Sequence, residues 1–235
     1  TATMKKIVII PAFNESKVII DTINDIRAKA PDFDFVVVND HSKDDTHRLL
    51  AREGIPALNL PVNLGIGGAV QTGYLYAYRN GYDIAVQLDG DGQHDPAFLH
   101  DMVTFMQKNE SDMVIGSRYI TKEGFQSTSL RRTGIRFFSW LIRLITGKRI
   151  TDPTSGYRMI NRRIMKIFAK DYPRDFPEPE SVVTVLKNGF RVDELQVIMR
   201  GRQSGKSSIN LIKSPYYMIK VTFAIILEGV RKHAD

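Results

Sequence analysis

An α/β fold around a parallel sheet is predicted by two features of the chain. The first 117 of its 235 residues alternate short apolar runs with helical patterns, which is how βαβ units read. One run, Ile84–Leu88, stops abruptly at Asp89 and Asp91, and the carboxyl ends of strands are where open α/β sheets bind ligands. The strands in order are Lys6–Pro11, Phe33–Asn39, Ala57–Leu60, Ile84–Leu88 and Met113–Gly116. Helices are expected between them near Lys17–Ala30, Asp45–Arg52, Gly68–Arg79 and Pro96–Gln107. The first of these sets Val18, Ile19, Ile23 and Ile26 on one stripe, as an amphipathic helix requires. The length suits one good core, and no repeat, low-complexity tract or long linker interrupts it.

Beyond residue 117 the character changes. Residues 1–117 hold 10 Lys and Arg against 16 Asp and Glu, a net of −6, whereas residues 118–235 hold 23 against 10, a net of +13. A basic half calls for an anionic partner: nucleic acid, a membrane surface or a phosphorylated substrate. Nucleic acid is set aside, because no basic stripe interleaved with aromatics lies on a strand pattern. Ile135–Thr146 and Met218–Val230 are strongly apolar helices that fall short of the roughly 20 residues needed to span a bilayer. They suit a membrane interface, with Trp140, Tyr216 and Tyr217 as headgroup anchors, or else burial against the sheet or an oligomer contact. The expected division is a catalytic domain over 4–210 and a C-terminal amphipathic helix within 211–235. There is no cysteine, hence no disulfide framework and no thiolate ligand or nucleophile. No secretory leader is read either, as Ile7–Ile10 ends at Pro11.

Asp89 and Asp91, on a turn kept open by Gly90 and Gly92, suit a divalent cation that leaves positions for phosphate oxygens. A plain solvated turn is the competing reading. An EF-hand is excluded, because its sixth and twelfth positions would be His94 and His100. Three further strand ends should share this sheet edge: Pro11-Ala12-Phe13-Asn14-Glu15, Asn39-Asp40-His41-Ser42, and the loop Asn63-Leu64-Gly65-Ile66-Gly67-Gly68-Ala69. Together they describe a nucleotide cradle in which Asp40 reads base or ribose and glycine backbone lies close to the ligand. The loop fails the dinucleotide fingerprint at Val70, and Gly201–Ser207 fails the P-loop spacing by one residue.

These motifs resemble family 2 glycosyltransferases of the GT-A fold. Gly116-Ser117-Arg118-Tyr119, Asp152-Pro153-Thr154-Ser155-Gly156-Tyr157-Arg158 and Arg202-x-x-Gly205-Lys206-Ser207 narrow the resemblance to polyprenyl-phosphate sugar synthases of the dolichol-phosphate mannose synthase type. It covers about residues 4–210. It implies a mixed, mainly parallel central sheet with helices on both faces. It also implies inverting transfer of one sugar from a nucleotide donor. The loop Ile66–Gln71 looks more like UDP-sugar members, so a UDP-sugar, glucose or N-acetylglucosamine, is the expected donor and undecaprenyl phosphate the expected acceptor. Asn39 replaces the first Asp of the usual pair, which leaves Asp40 alone at the base.

The expected nucleotide contacts are Pro11, Ala12, Asn14, Glu15, Asp40, Gly67, Gly68, Asp89 and Gly90. Mg²⁺ or Mn²⁺ would be held by Asp89 and Asp91 with help from Gln93. A lipid phosphate is already an oxyanion at neutral pH, its second pKa being about 6, so charge neutralisation matters more than a base. Arg118, Arg131, Arg132, Arg202, Lys206 and Ser207 are the candidates for it. A sugar-hydroxyl acceptor, as in polysaccharide extension, would instead need a base, and Asp152 is the candidate. Asp91, Asp152 and Arg118 form the expected catalytic set. Glu178 and Glu180 either meet sugar hydroxyls or sit at a helix N-terminus favoured by its dipole. A catalytically inactive membrane scaffold is the remaining alternative. The expected location is cytoplasmic, peripheral on the inner face of the cell membrane, with a homo-oligomer or a small membrane protein as possible companion.

Overall fold

The computed structural model describes residues 4–121, 129–201 and 214–231. Seven strands form one sheet: β1 (Lys6–Ala12), β2 (Asp34–Asn39), β3 (Ala57–Asn59), β4 (Ile84–Gln87), β5 (Met113–Ser117), β6 (Arg158–Asn161) and β7 (Val192–Gln196), in the order β3-β2-β1-β4-β6-β5-β7. All run the same way except β6, which is antiparallel to both of its neighbours. The five strands expected from the sequence are present, and β7 falls within Phe190–Arg200, a stretch that also reads as strand-like in the sequence. No strand was expected at β6, whose four residues begin with an arginine.

The helices are α1 (Ile19–Lys29), α2 (Thr46–Arg52), α3 (Gly65–Arg79), α4 (Leu99–Asn109), α5 (Ser129–Thr146), α6 (Arg162–Lys170), α7 (Pro177–Lys187) and α8 (Ser214–Val230). They cover both faces, and strand alternation decides which face each residue feeds. Ile7 and Ile9 of β1 join Val70 and Tyr74 of α3, Phe138 of α5 and Ile225 of α8 on one face. Val8 and Ile10 join Ile23 and Ile26 of α1 and Met102 of α4 on the other. Coverage on both sides is why β1 reads as an unbroken apolar run instead of alternating.

The reversed β6 matters most for the site. Gln87 of β4 and Ile115 of β5 both pair with Arg158, the first residue of β6. The turn 152–157 therefore enters the sheet at the edge where β4 and β5 end. A parallel strand would have delivered the same motif to the opposite edge.

Candidate active site

β4 is buried along its length and releases the chain at Leu88. Gly92 has φ 75°, a left-handed conformation open to glycine at little cost, so the chain turns sharply past Asp91. Asp91 is only 3% exposed, and its Oδ1 accepts the Gln93 N–H at 3.1 Å. The Asp89 N–H donates to His94 Nδ1 at 3.0 Å, which places the ring proton on Nε2, 3.8 Å from Asp89 Oδ2. His94 stacks on Tyr157 at 4.9 Å, and the Tyr157 hydroxyl donates to the Asp95 carbonyl at 2.9 Å. The turn is thus braced from the 152–157 motif. Gln87 Nε2 donates to Asp89 Oδ1 at 3.3 Å. A Cβ at Gly156 would lie 3.1 Å from Asp89 Oδ2 and 3.1 Å from Gln87 Nε2, so this glycine opens the space beside the Asp89 carboxylate.

Among the described residues no three His, Cys, Asp or Glu side chains converge as a closed metal site. Two hard carboxylates on one turn, with a cradle that a single Cβ would fill, fit a divalent cation whose remaining ligands are phosphate oxygens and water.

The neighbouring strand ends are tied to one another. Asp40 N–H donates to the Ala12 carbonyl at 2.9 Å, and Asp40 Oδ1 accepts the Leu64 N–H at 2.7 Å, joining β1, β2 and the loop before α3. Asn39 Nδ2 donates to Asn59 Oδ1 at 2.8 Å. Asn14, with φ 58°, accepts the Lys43 N–H at 2.7 Å on Oδ1, and the Glu15 N–H donates to Thr46 Oγ1 at 3.0 Å. Gly90 lies against the Pro11 carbonyl, 3.2 Å from where its Cβ would be. Gly67 is a glycine for a reason internal to the chain: a Cβ there would meet the Pro173 carbonyl oxygen at 2.3 Å and the Arg174 carbonyl oxygen at 2.4 Å. At Gly68 the nearest atom is the Leu64 Cβ, at 2.5 Å.

Arg118, just past β5, grips Asp152 with both arms: Nε to Oδ2 and Nη2 to Oδ1, each 2.7 Å. Asp152 is 0% exposed. Its own N–H and that of Thr151 donate to the Glu194 carboxylate at 2.8 and 2.7 Å. Burial works against the Arg118 charge, but Asp152 outweighs it and holds the guanidinium above its ordinary value. Arg131 and Arg132, exposed in the first turn of α5, are charged neighbours of Tyr119 together with Arg118. Arg202, Lys206 and Ser207 lie outside the described residues. The chain approaches them at Arg200, which pairs with Asp25 at 2.7 Å and Asp95 at 2.8 Å, while its N–H donates to the Gln93 carbonyl.

The comparisons with known proteins decide the family. The Glycosyl transferase family 2 profile matches residues 7–168. The chain belongs to glycosyltransferase family 2. It is 31% identical over 219 residues to an undecaprenyl-phosphate mannosyltransferase of Micrococcus luteus, covering 88% of each chain. It is 28% identical over 209 residues to a UDP-N-acetylglucosamine–dolichyl-phosphate N-acetylglucosaminyltransferase of Methanococcus voltae, covering 80% of this chain and 83% of that one. Glucosyl-3-phosphoglycerate synthase of Mycobacterium tuberculosis, solved with Mn²⁺, UDP and phosphoglyceric acid, superposes with TM-score 0.74 at 16% identity, over 98% of this chain and 80% of that one. The last likeness shows the fold, GT-A.

In this family 2 glycosyltransferase, sequence reasoning gave no role to four residues of the site. Gly156 shapes the Asp89 cradle, while His94 and Gln87 hold its backbone and carboxylate. Arg158, fully buried, donates to the carbonyls of Ser155 (2.7 Å) and Pro153 (2.8 Å) and to Ser181 Oγ (2.7 Å), tying the 153–155 turn to α7. Gly156, Arg158 and His94 left a trace in the sequence, as members of recognisable motifs. Glu178, in the first turn of α7, has its carboxyl pushed above the usual range by burial despite the pull of Arg158, with Asp89 and Arg131 among its charged neighbours.

Proposed function

We propose that the enzyme transfers one sugar, with inversion, from a UDP-sugar (glucose or N-acetylglucosamine) to a polyprenyl phosphate at a membrane surface. The observation that carries this is the Arg118–Asp152 fork. A hydroxyl acceptor needs a carboxylate base within reach, and the leading candidate, Asp152, is buried and bound at both oxygens by a guanidinium. A phosphate acceptor needs positive charge instead, and Arg118, Arg131 and Arg132 gather around Tyr119 beside the Asp89 turn. The names of the Micrococcus and Methanococcus relatives point to the same acceptor class.

In the step itself an acceptor phosphate oxygen attacks the anomeric carbon from the face opposite the nucleotide. The anomeric C–O bond breaks, UDP leaves with the bonding pair, and a single displacement inverts the centre. A divalent cation, Mg²⁺ or Mn²⁺, held by Asp89 and Asp91 with Gln93 would supply charge neutralisation for the leaving diphosphate. Asp40, Asn14, Glu15 and the strand-end backbone of Pro11 and Ala12 form the wall for the nucleoside, and the Gly67–Gly68 turn borders it. Arg118, Arg131 and Arg132 hold the acceptor phosphate.

The membrane placement is supported by apolar residues left exposed on α5 and α8: Trp140 at 58%, Leu144 at 68% and Phe223 at 62%, with exposed Arg136 and Arg143 beside them. No helix among the described residues is long and apolar enough to cross a membrane.

The test is transfer from a panel of radiolabelled UDP- and GDP-sugars to undecaprenyl phosphate, with and without Mn²⁺. A metal-dependent, organic-extractable product formed from a UDP-sugar is expected. Product from GDP-mannose alone would overturn the donor assignment. Donor hydrolysis without lipid product would overturn the acceptor.

A further inference from the structure

Residues 93–95, directly after the Asp89–Asp91 turn, belong to no helix or strand, and bonds from three other parts of the chain hold them. The Gln93 peptide is fixed on both sides: its N–H donates to Asp91 Oδ1 at 3.1 Å, and its carbonyl accepts the Arg200 N–H at 3.0 Å. The Asp95 carbonyl accepts the Tyr157 hydroxyl at 2.9 Å. Asp95 Oδ1 lies 2.9 Å from Lys29 Nζ of α1 and 2.8 Å from Arg200 Nη2. Asp25, one turn before Lys29, is shared by the same two cations, Lys29 at 3.0 Å and Arg200 at 2.7 Å. Arg200 itself stands on a firm base. Just past β7, Val197 and Met199 are 0% and 6% exposed, and the Val197 N–H donates to the Ser117 carbonyl at 2.9 Å.

Lys29 alone already bridges Asp25 to Asp95, so Arg200 is redundant as a link between α1 and the turn. What Arg200 adds is a tie from the segment after β7, made by a backbone bond to Gln93 and a guanidinium bond to Asp95. These side chains are a quarter to a third exposed, where ion pairs contribute little to stability. We propose that Arg200 is a positioning residue for the metal, its clamp on Gln93 and Asp95 holding Gln93 in place as a ligand beside Asp89 and Asp91. The proposal rests on the metal assignment above and gives the amide ligand its support from the basic half of the chain. A neutral amide draws a cation less strongly than a carboxylate does, so Gln93 depends more on being in place beforehand. Fixing its peptide on both sides lowers the entropy lost when the amide closes on a metal. The sign of the effect separates positioning from charge. Arg200 is a cation near a cation site, so its removal acting through Coulomb's law alone tightens metal binding. Loss of a positioning contact weakens it.

The experiment measures Mn²⁺ binding to the full chain at saturating UDP, read from the EPR signal of free Mn²⁺, for the wild type, Arg200→Met, Arg200→Lys and Lys29→Met. Arg200→Met should weaken Mn²⁺ binding about tenfold, with a melting temperature within about 3 °C of the wild type. Arg200→Lys, which keeps a cation at Asp95, should recover part of the affinity. Lys29→Met removes the same charge from the same two carboxylates but leaves the Arg200 clamp, and should bind Mn²⁺ at least as tightly as the wild type. Unchanged or tighter binding in Arg200→Met would overturn the proposal. Equal weakening in Lys29→Met would also overturn it, since the effect would then belong to the ion network as a whole. So would a melt that falls in step with the affinity in Arg200→Met. No Mn²⁺ binding by the wild type would remove the metal assignment itself, and the clamp with it.

Discussion

The two halves of the sheet solve different problems. From β1 to β4 the chain repeats strand, turn and helix, and each strand delivers its polar turn to the same edge. The groups there (Asn14, Asp40, Asp89 and Asp91) come from three short stretches whose chemistry is complete within a few residues. From β5 onward the order breaks. β6 is inserted backwards, its preceding turn meets the end of β5, and Arg118 finds its carboxylate 34 residues away. The first half is acidic and holds the turn suited to a cation, and the second is basic and carries the exposed apolar helices. A donor that brings its own phosphates needs a preorganised turn. An acceptor arriving from another phase needs charge and an apolar landing. The division of labour follows that chemistry.

Four experiments test this contrast, from the largest expected effect to the smallest. Asp91→Asn should cut turnover on the order of 10³-fold, because charge on the leaving diphosphate loses its compensation. Its melting temperature should stay close to wild type, and a matching collapse in the melt would mean that the turn is structural.

Asp152→Asn should act the other way round. An uncompensated guanidinium buried beside it costs about 3–5 kcal/mol, or about 10 °C in Tm for a chain of this size. The paired variant Arg118→Met with Asp152→Leu should recover most of that stability while remaining inactive. If Asp152→Asn instead melts like the wild type but loses activity, Asp152 is a base and the acceptor is a hydroxyl.

The two glycines separate packing from catalysis. Gly67→Ala forces a methyl onto the Pro173 carbonyl and should destabilise by about 1–3 kcal/mol. Gly156→Ala presses on the Asp89 carboxylate and should lower kcat by roughly tenfold or more, since small misplacements near reacting groups are amplified. Urea titrations and steady-state rates on both variants distinguish the two outcomes.

The smallest effect concerns the packing of α7 against α8. Burial, then the charges of Glu228, Asp175 and Glu178, push the Glu180 carboxyl up to about 7. The folded chain holds a proton there that a free glutamate gives up near 4.5. The stability tied to that proton is therefore full below about pH 4.5 and is lost as pH rises to about 7. Glu180→Gln should raise Tm at pH 8 by about 2–4 °C after solvent screening is allowed for, with the gain fading toward pH 4.5. A gain that is flat with pH would remove the carboxylate from the account.

Much of this molecule could be read without coordinates. The five same-direction strands from β1 to β5 follow from apolar runs spaced by helical patterns, and the Asp89–Asp91 turn is visible because its chemistry is local: two carboxylates, two glycines, one strand end. β6 escaped because four residues beginning with Arg carry no periodicity, and strand direction leaves no mark in a sequence of that length. Two helices start earlier than the sequence suggests, at Gly65 instead of Gly68 and at Ser129 instead of Ile135, since glycine and polar residues in a first turn do not extend an apolar stripe.

What the sequence determined by itself was the chemistry available at the sheet edge, because strand periodicity and turn composition act over a few residues. The tertiary structure alone decided which of those groups meet. It paired Asp152 with Arg118, gave Gly156 its place against Asp89, and set α5 beside α8. Each of these depends on the direction of one short strand or on the approach of two backbones, and a sequence pattern is blind to both.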